Sequence, residues 1–222
     1  MELTDKVYRI WVGKASGSSS ETVNLVRLRG RIDTSLAHQI KDNIMPTSAG
    51  FFDDVLVNHI RKIQPASILD VGCGAGNYAH VNIFGAPNAT IEAVEPTEKY
   101  WSDYDLENKY DVLHKTTLQD FTKKDWQYDL IMCIDVLEHL YLSEAIDMIE
   151  CLSYNCNYII IGWPTDYTQD CWEGNPYEKH KSNMTLSDLN RFNIVHYEKT
   201  PNGSSMYHYA CIKTSHGKYM TR

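Results

Sequence analysis

The chain has 222 residues, of which 43% are hydrophobic and 23% charged, a composition typical of a globular protein with a buried core. Its formal net charge of −8 disfavours general binding to nucleic-acid phosphates. The chain has no apolar run of about 20 residues that could cross a bilayer, no signal peptide, and no cysteine spacing typical of disulfide frameworks or metal sites. We therefore expect a cytoplasmic protein without membrane association or a bound metal.

The N-terminal region has the pattern of a small hairpin. Residues 7–12 and 22–28 partly alternate between apolar and polar side chains, as half-buried strands do. The glycine- and serine-rich stretch 13–20 between them has the composition of a turn. We predict a hairpin-like extension over residues 1–44, followed by one domain over residues 45–222.

The rest of the chain has an α/β pattern. Residues 51–63 carry apolar side chains at helical spacing, and Pro65 ends that helix. Short apolar strands then alternate with stretches of helical or loop composition, which predicts a parallel sheet with helices on both faces. These strands are expected at residues 67–71, 90–95, 110–115, 129–134 and 157–163.

The C-terminal part predicts a hairpin. Two further strand-like segments, residues 193–199 and 206–214, flank the dipeptide Asn202-Gly203. Asn-Gly between two strands is the strongest short-range hairpin signal. We therefore expect the sheet to end in antiparallel strands.

A glycine-rich turn follows the first predicted strand of the sheet, with the sequence Asp70-Val71-Gly72-Cys73-Gly74-Ala75-Gly76. Glycines let the backbone approach a ligand closely, and the next helix begins with free N–H groups. A dinucleotide site would place its third glycine where this chain has Asn77. The spacing therefore suits a ligand with a carboxylate and an amine better than one with a pyrophosphate.

Two acidic positions follow the next strands. Glu95 ends the second strand, where a carboxylate can accept hydrogen bonds from both ribose hydroxyls; the alternative is a solvated charge at a strand end. Asp120 and Phe121 follow the third strand. Together they could bind an adenine amino group and pack on the purine, but they also fit an acidic helix cap beside a core phenylalanine.

Four motifs in this region resemble those of the class I S-adenosylmethionine-dependent methyltransferases, in the family's order and spacing. They are residues 68–78, 91–96, 118–121 and 128–139. The last ends in Asp-Val-Leu-Glu-His and is similar to a small-molecule group that includes quinone-biosynthesis enzymes. The resemblance implies that residues 45–222 form a Rossmann-like, seven-stranded α/β domain with a reversed terminal hairpin. It also implies that S-adenosylmethionine is bound by Asp70, Gly72, Cys73, Gly74, Gly76, Glu95, Pro96, Asp120, Phe121 and Ile134.

The implied reaction is transfer of a sulfonium methyl group, for which a protein mainly aligns the reactants and excludes water. A general base is needed only where the acceptor must lose a proton. His139, His180 and Glu178 are the candidates, with a structural role as the alternative for both histidines. We expect a small-molecule or glycan acceptor. Nucleic-acid or protein acceptors, and a non-catalytic cofactor-binding scaffold, remain alternatives.

The acceptor site is expected beyond the carboxyl ends of the fourth and fifth strands, between residues 135–139 and 163–180. Residues 164–184 lack a clear helical or strand period, which predicts a lid. Four aromatic residues cluster in this region: Trp163, Tyr167, Trp172 and Tyr177. We expect some of them to wall the acceptor pocket, with covering of the sheet edge as the alternative. Amino-methylating DNA enzymes carry an Asn-Pro-Pro-Tyr type of motif directly after strand four. The Asn-Pro-Tyr segment at residues 175–177 comes much later in the chain, which disfavours a DNA acceptor.

Overall fold

The computed structural model describes the backbone of residues 7–11 and 23–27, and residues 50–81, 85–172 and 174–214 with their side chains. The chain divides into two compact units, Met1–Thr47 and Ser48–Arg222. In the first unit, β1 (Val7–Trp11) and β2 (Val23–Arg27) pair in antiparallel fashion, within the two segments of predicted alternation. The division into an extension and a domain after residue 44 stays a prediction.

The second unit is built on a seven-stranded sheet. Its strands are β3 (Ser67–Val71), β4 (Thr90–Val94), β5 (Val112–His114), β6 (Tyr128–Ile134), β7 (Cys156–Thr165), β8 (Ile194–Asn202) and β9 (Ser205–Lys213). The order across the sheet is β5-β4-β3-β6-β7-β9-β8. Strands β3 to β7 are parallel, whereas β9 runs antiparallel to both of its neighbours. This topology confirms the predicted Rossmann-like α/β fold with a C-terminal antiparallel hairpin.

Helix α1 (Asp53–Ile63) precedes β3. Three further helices lie between parallel strands: α2 (Glu98–Asp103), α3 (Leu118–Phe121) and α4 (Leu142–Ser153). Single 3₁₀ turns occur at Leu106–Asn108, Leu137–His139, Pro176–Glu178 and Leu186–Leu189. Within the described parts of the chain, no helix combines the length and the apolar character that crossing a membrane requires.

The sheet separates two apolar layers because successive side chains of a strand point to opposite faces. Ile68 packs in the layer that contains α1, and Leu69 packs in the layer that contains α4. Helix α4 buries Ala145, Ile149 and Leu152, the spacing of a helix with one apolar face. With both faces of the sheet covered, the carboxyl ends of its parallel strands are the open edge for a ligand.

The terminal hairpin is tighter than the sequence pattern indicates. Strand β8 continues through Pro201 and Asn202, and only Gly203 and Ser204 form the turn. Gly203 has a φ of +61°, which glycine adopts without the steric penalty of a Cβ atom.

Candidate functional site

The glycine-rich turn leaves β3 at its carboxyl end in a conformation that requires glycine. The φ angles of Gly72, Gly74 and Gly76 are +61°, +52° and +75°, which residues with a Cβ atom rarely adopt. A Cβ atom on Gly72 would also lie 2.8 Å from Cγ2 of Val136. The turn therefore packs directly against the segment that follows β6.

Glu95 connects this turn to the end of β4. The side chain is 4% exposed, and its two oxygens accept the backbone N–H groups of Gly74 at 3.0 Å and Thr97 at 2.8 Å. Burial raises the pKa of this carboxyl, whereas the two N–H donors lower it. Because each carboxylate oxygen can accept more than one hydrogen bond, both can also receive a ligand hydroxyl. Pro96, which lies between Glu95 and Thr97 in the chain, is half-buried.

Asp70 and Cys73 are buried beneath the same turn. Asp70 is 2% exposed, and its Oδ2 accepts the Tyr110 hydroxyl at 2.6 Å. Burial raises the pKa of Asp70 to about 7, with the Tyr110 hydrogen bond opposing the shift and the charge of Glu95 adding to it. Burial also raises the pKa of the Cys73 thiol, so it stays protonated at neutral pH. The sequence analysis missed Tyr110, which only the folded chain brings to Asp70.

Asp120 and Phe121 lie in α3 in the arrangement of a capped helix. Oγ1 of Thr117 accepts the Asp120 N–H at 3.2 Å, and the exposed Asp120 carboxylate contacts Nζ of Lys123 at 2.7 Å. Phe121 is 3% exposed, and its ring packs edge-on against His114 in the core. The cap of α3 is therefore Thr117, with Asp120 in the first turn, and Phe121 is a core residue. Contact of these two residues with adenine stays a prediction.

A small, partly open cleft lies beside Ile134, at the end of β6. Its lining is mostly aromatic and consists of Gly50, Phe51, Phe52, Leu56, Tyr78, Ile134, Gly162, Tyr207 and Tyr209. A Cβ atom on Gly162 would lie 3.0 Å from the Tyr207 hydroxyl and 3.2 Å from Cγ2 of Ile134. Glycine at this position therefore keeps the cleft open.

The loop after β7 folds back onto the end of β4. The Tyr100 hydroxyl donates to Oε1 of Glu178 at 2.9 Å, and Nδ2 of Asn175 donates to Oγ1 of Thr97 at 3.1 Å. Both Tyr100 and Thr97 lie just beyond Glu95 in the chain. The loop therefore connects the end of β4, where the cofactor is expected, to the region where the acceptor is expected.

The four aromatic residues of this region divide into two groups. Trp163 is completely buried, donates Nε1–H to the carbonyl of Met184 at 2.8 Å and stacks on His208. Its ring lies within the core, so Trp163 is not among the aromatic residues available to wall an acceptor pocket. Three others remain partly exposed at the surface: Tyr167, Trp172 and Tyr177.

The structure brings His139 and His180 together, with ring centroids 4.9 Å apart in an edge-to-face arrangement. Nδ1 of His180 donates to the carbonyl of Tyr167 at 3.1 Å, because a carbonyl can only accept. Burial lowers the pKa of both rings, which favours the neutral form that a general base or a metal ligand requires.

Glu138 is the second site residue that the sequence analysis missed. It is 1% exposed, and no other residue that the structure describes donates a hydrogen bond to either carboxylate oxygen. Burial raises its pKa well above the ordinary value, and the charges of Asp135 and Glu178 add to this. A single acidic residue beside an apolar strand end is the signal that could have identified it.

Comparisons with known proteins agree with this geometry. A family model described as "Methyltransferase domain" matches residues 40–152. Ubiquinone biosynthesis O-methyltransferase from Rickettsia bellii (strain OSU 85-389) is 30% identical over 103 residues, which are 46% of this chain and 42% of the relative. The match thus spans less than half of that protein's length.

Two solved structures have the same fold. Magnesium protoporphyrin IX methyltransferase (ChlM) from Synechocystis PCC 6803, with bound SAH, superposes with a TM-score of 0.58 at 16% identity, covering 84% of this chain and 90% of that one. An S-adenosylmethionine-dependent methyltransferase from Clostridium acetobutylicum gives 0.56 at 12% identity, with 82% and 98% covered.

Proposed function

This chain belongs to the methyltransferase-domain family, and from that premise we propose that it transfers the methyl group of S-adenosylmethionine to a small-molecule acceptor. The observation that carries the proposal is the hydrogen bond between Glu95 and the positive-φ turn at Gly74. This pairing places an acidic strand end, suited to ribose hydroxyls, next to a glycine backbone that a ligand can approach. Cofactor-bound structures of the same fold support S-adenosylmethionine as that ligand.

The charges around the site suit a sulfonium ligand. Burial is the main cause that raises the pKa of both Glu95 and Glu138; the charge of Asp135 adds to the effect on Glu138, and the charge of Glu178 adds to both. Carboxylates that repel one another are stabilised by a nearby cation. In the reaction, the acceptor atom forms a bond to the methyl carbon while the carbon–sulfur bond breaks and its electron pair returns to sulfur. An OH or NH acceptor also loses its proton.

The cleft beside Ile134 is our candidate for the acceptor site. Its lining includes the rings of Phe51, Tyr207 and Tyr209, which suit a flat apolar molecule better than a glycan. The Rickettsia bellii relative is named as an O-methyltransferase of ubiquinone biosynthesis, which favours an oxygen acceptor. The sequence expectation of a site between residues 135–139 and 163–180 remains part of this proposal.

His139 and His180 remain our candidates for removing the acceptor proton, either directly or as ligands of a bound group. Glu178 is a weaker candidate because Oε1 already accepts the Tyr100 hydroxyl. We expect His139→Ala and His180→Ala each to lower turnover while affinity for S-adenosylhomocysteine stays within a few fold. Full turnover in both variants would show that catalysis depends on alignment alone.

The test of the proposed function is transfer of label from methyl-labelled S-adenosylmethionine to separate pools of phenolic metabolites, glycans, tRNA, DNA and protein. Label should appear in the small-molecule pool and saturate with acceptor. Phe51→Ala should raise the KM for that acceptor without changing cofactor affinity, with Tyr154→Ala, an exposed aromatic outside the cleft, as the control. Label confined to a macromolecular pool would contradict the acceptor class. A folded chain that binds no S-adenosylhomocysteine at millimolar concentration would contradict the enzyme.

A further inference from the structure

Several buried polar atoms in and near the segment after β6 lack hydrogen-bond partners. Both carboxylate oxygens of Glu138, Nδ1 of His139 and Oγ of Ser182 are buried and make no hydrogen bond of standard geometry among the described residues. The backbones of Ser182 and Glu138 are in contact, because the Ser182 N–H donates to the Glu138 carbonyl at 3.2 Å. Buried polar groups are almost always satisfied by protein, water or an ion. Such a cluster therefore points to an occupant.

His180 completes a set of potential ligands from a different part of the chain. One ligand atom each from Glu138, His139 and His180 lies within 4.8 Å of the other two. Around a tetrahedral zinc ion, with ligand distances of roughly 2.0–2.1 Å, neighbouring ligand atoms are about 3.3 Å apart. The separations in the structure are therefore at most about 1.5 Å longer than that spacing.

The hydrogen bonding of His180 has the form that metal-binding histidines use. Its Nδ1–H is held by the Tyr167 carbonyl at 3.1 Å, which fixes the tautomer and leaves the lone pair of Nε2 available. Histidine ligands almost always donate their other ring N–H to a carbonyl, carboxylate or water in this way.

We propose that Glu138, His139 and His180 bind a divalent transition-metal ion of the zinc class. Two imidazoles and one carboxylate are a ligand set found in catalytic zinc sites. The ion would satisfy the buried Glu138 and His139 atoms and neutralise the Glu138 charge. Three protein ligands leave one position open, which a water or an oxygen of the acceptor fills. The acceptor role rests on the proposed function, whereas the ion itself does not.

The same groups allow a simpler arrangement, in which Glu138 is protonated and bonded to a buried water. Calorimetric titration of the chelator-treated full chain with Zn²⁺, together with elemental analysis, separates the two arrangements. We expect one ion per chain. His180→Ala and Glu138→Gln should each weaken binding by at least the roughly 10–100-fold that loss of a ligand's hydrogen-bond partner costs.

His196→Ala is the matched control. Nε2 of His196 lies 2.7 Å from Oε1 of Glu198, a histidine–glutamate pair that belongs to no three-ligand cluster in the described ranges. This variant should bind Zn²⁺ like the wild type. Binding of S-adenosylhomocysteine by each variant establishes that it has folded.

Substitution with Co²⁺ tests the wild-type chain without depending on any variant. An intense visible absorption, typical of a four-coordinate ion, is expected. The proposal would be overturned if a chain that binds S-adenosylhomocysteine took up no metal. It would also be overturned if His180→Ala and His196→Ala bound Zn²⁺ with equal affinity. Either result would assign a protonated Glu138. Because uptake is measured without an acceptor, its failure is distinct from a failure of methyl transfer.

Discussion

The Glu95 carboxylate accepts the backbone N–H of Gly74 at 3.0 Å, so the end of β4 and the turn after β3 form one hydrogen-bonded unit. A second carboxylate oxygen holds the Thr97 N–H. Glu95 therefore shapes the turn in addition to presenting its charge to a ligand. Substitutions at this position should affect cofactor binding through both routes.

Glu95→Ala should lower the affinity for S-adenosylhomocysteine by about tenfold or more, because hydrogen bonds to a charged group contribute roughly 1.5–3 kcal/mol. Glu95→Gln should have an intermediate effect, since its amide oxygen can still accept one of the two N–H groups. Calorimetry measures both. Glu98→Ala, on the exposed surface of α2, is the control, and equal affinity in Glu95→Ala and Glu98→Ala would contradict the assignment.

Gly72→Ala and Gly203→Ala form a matched pair, because both glycines have a φ of +61°. An added Cβ meets Val136 at Gly72 but nothing within 4 Å at Gly203. Urea denaturation should show a loss of about 1 kcal/mol for Gly203→Ala from backbone strain alone and a larger loss for Gly72→Ala. Adding Val136→Ala to Gly72→Ala should recover part of the difference in the free energy of unfolding. Equal losses of that free energy in the two glycine variants would exclude the steric contact.

Asp70 should make stability depend on pH. Its folded pKa of about 7 lies above the ordinary value of 3.8, so the folded chain keeps a proton that the unfolded chain releases. The contribution of this group to the free energy of unfolding is therefore complete below about pH 4 and is lost as the pH rises to about 7. Asp70→Asn should remove this slope and gain stability relative to the wild type at pH 8.

The measurement for Asp70 is urea denaturation at several pH values between about 4 and 8. Asp147→Asn, on the exposed side of α4, serves as the control substitution. Curves of wild type and Asp70→Asn that stay parallel over this range would show that Asp70 titrates normally.

Tyr100→Phe should loosen the loop after β7, because it removes the hydroxyl that donates to Glu178. Backbone amides of residues 174–181 should exchange faster with deuterium, and kcat/KM should fall while affinity for S-adenosylhomocysteine changes little. Tyr154→Phe, at a tyrosine that is 65% exposed, is the matched control. Unchanged exchange in Tyr100→Phe would mean that other contacts hold the loop.

The sequence alone predicted the sheet well because strand signals are local. Strand β3 was expected at residues 67–71 and occupies Ser67–Val71. Strand β5 is shorter than expected because Tyr110 turns inward to Asp70, and β7 is longer because it pairs with β9 as far as Thr165. Strand ends depend on partners elsewhere in the chain, which periodicity does not contain.

The side-chain environments of the site were harder to predict. Trp163 and the exposed Trp172 belong to the same aromatic-rich segment, yet only the folded chain distinguishes a core ring from a surface ring. The sequence does not identify Glu138 as a site residue, because its burial depends on the loop at residues 181–182, which contacts it only in the folded chain. The glycine turn and Glu95 were found because backbone conformation and strand-end position leave a local signal.

The contacts of Thr97 and Tyr100 with the loop after β7 have a thermodynamic consequence. In the proposed arrangement this loop borders both ligands, so a cofactor that orders the end of β4 also orders the loop beside the proposed acceptor site. Any factor by which cofactor tightens acceptor binding must equal the factor by which acceptor tightens cofactor binding. In this arrangement cofactor and acceptor bind with positive cooperativity, and each raises the affinity for the other by the same factor.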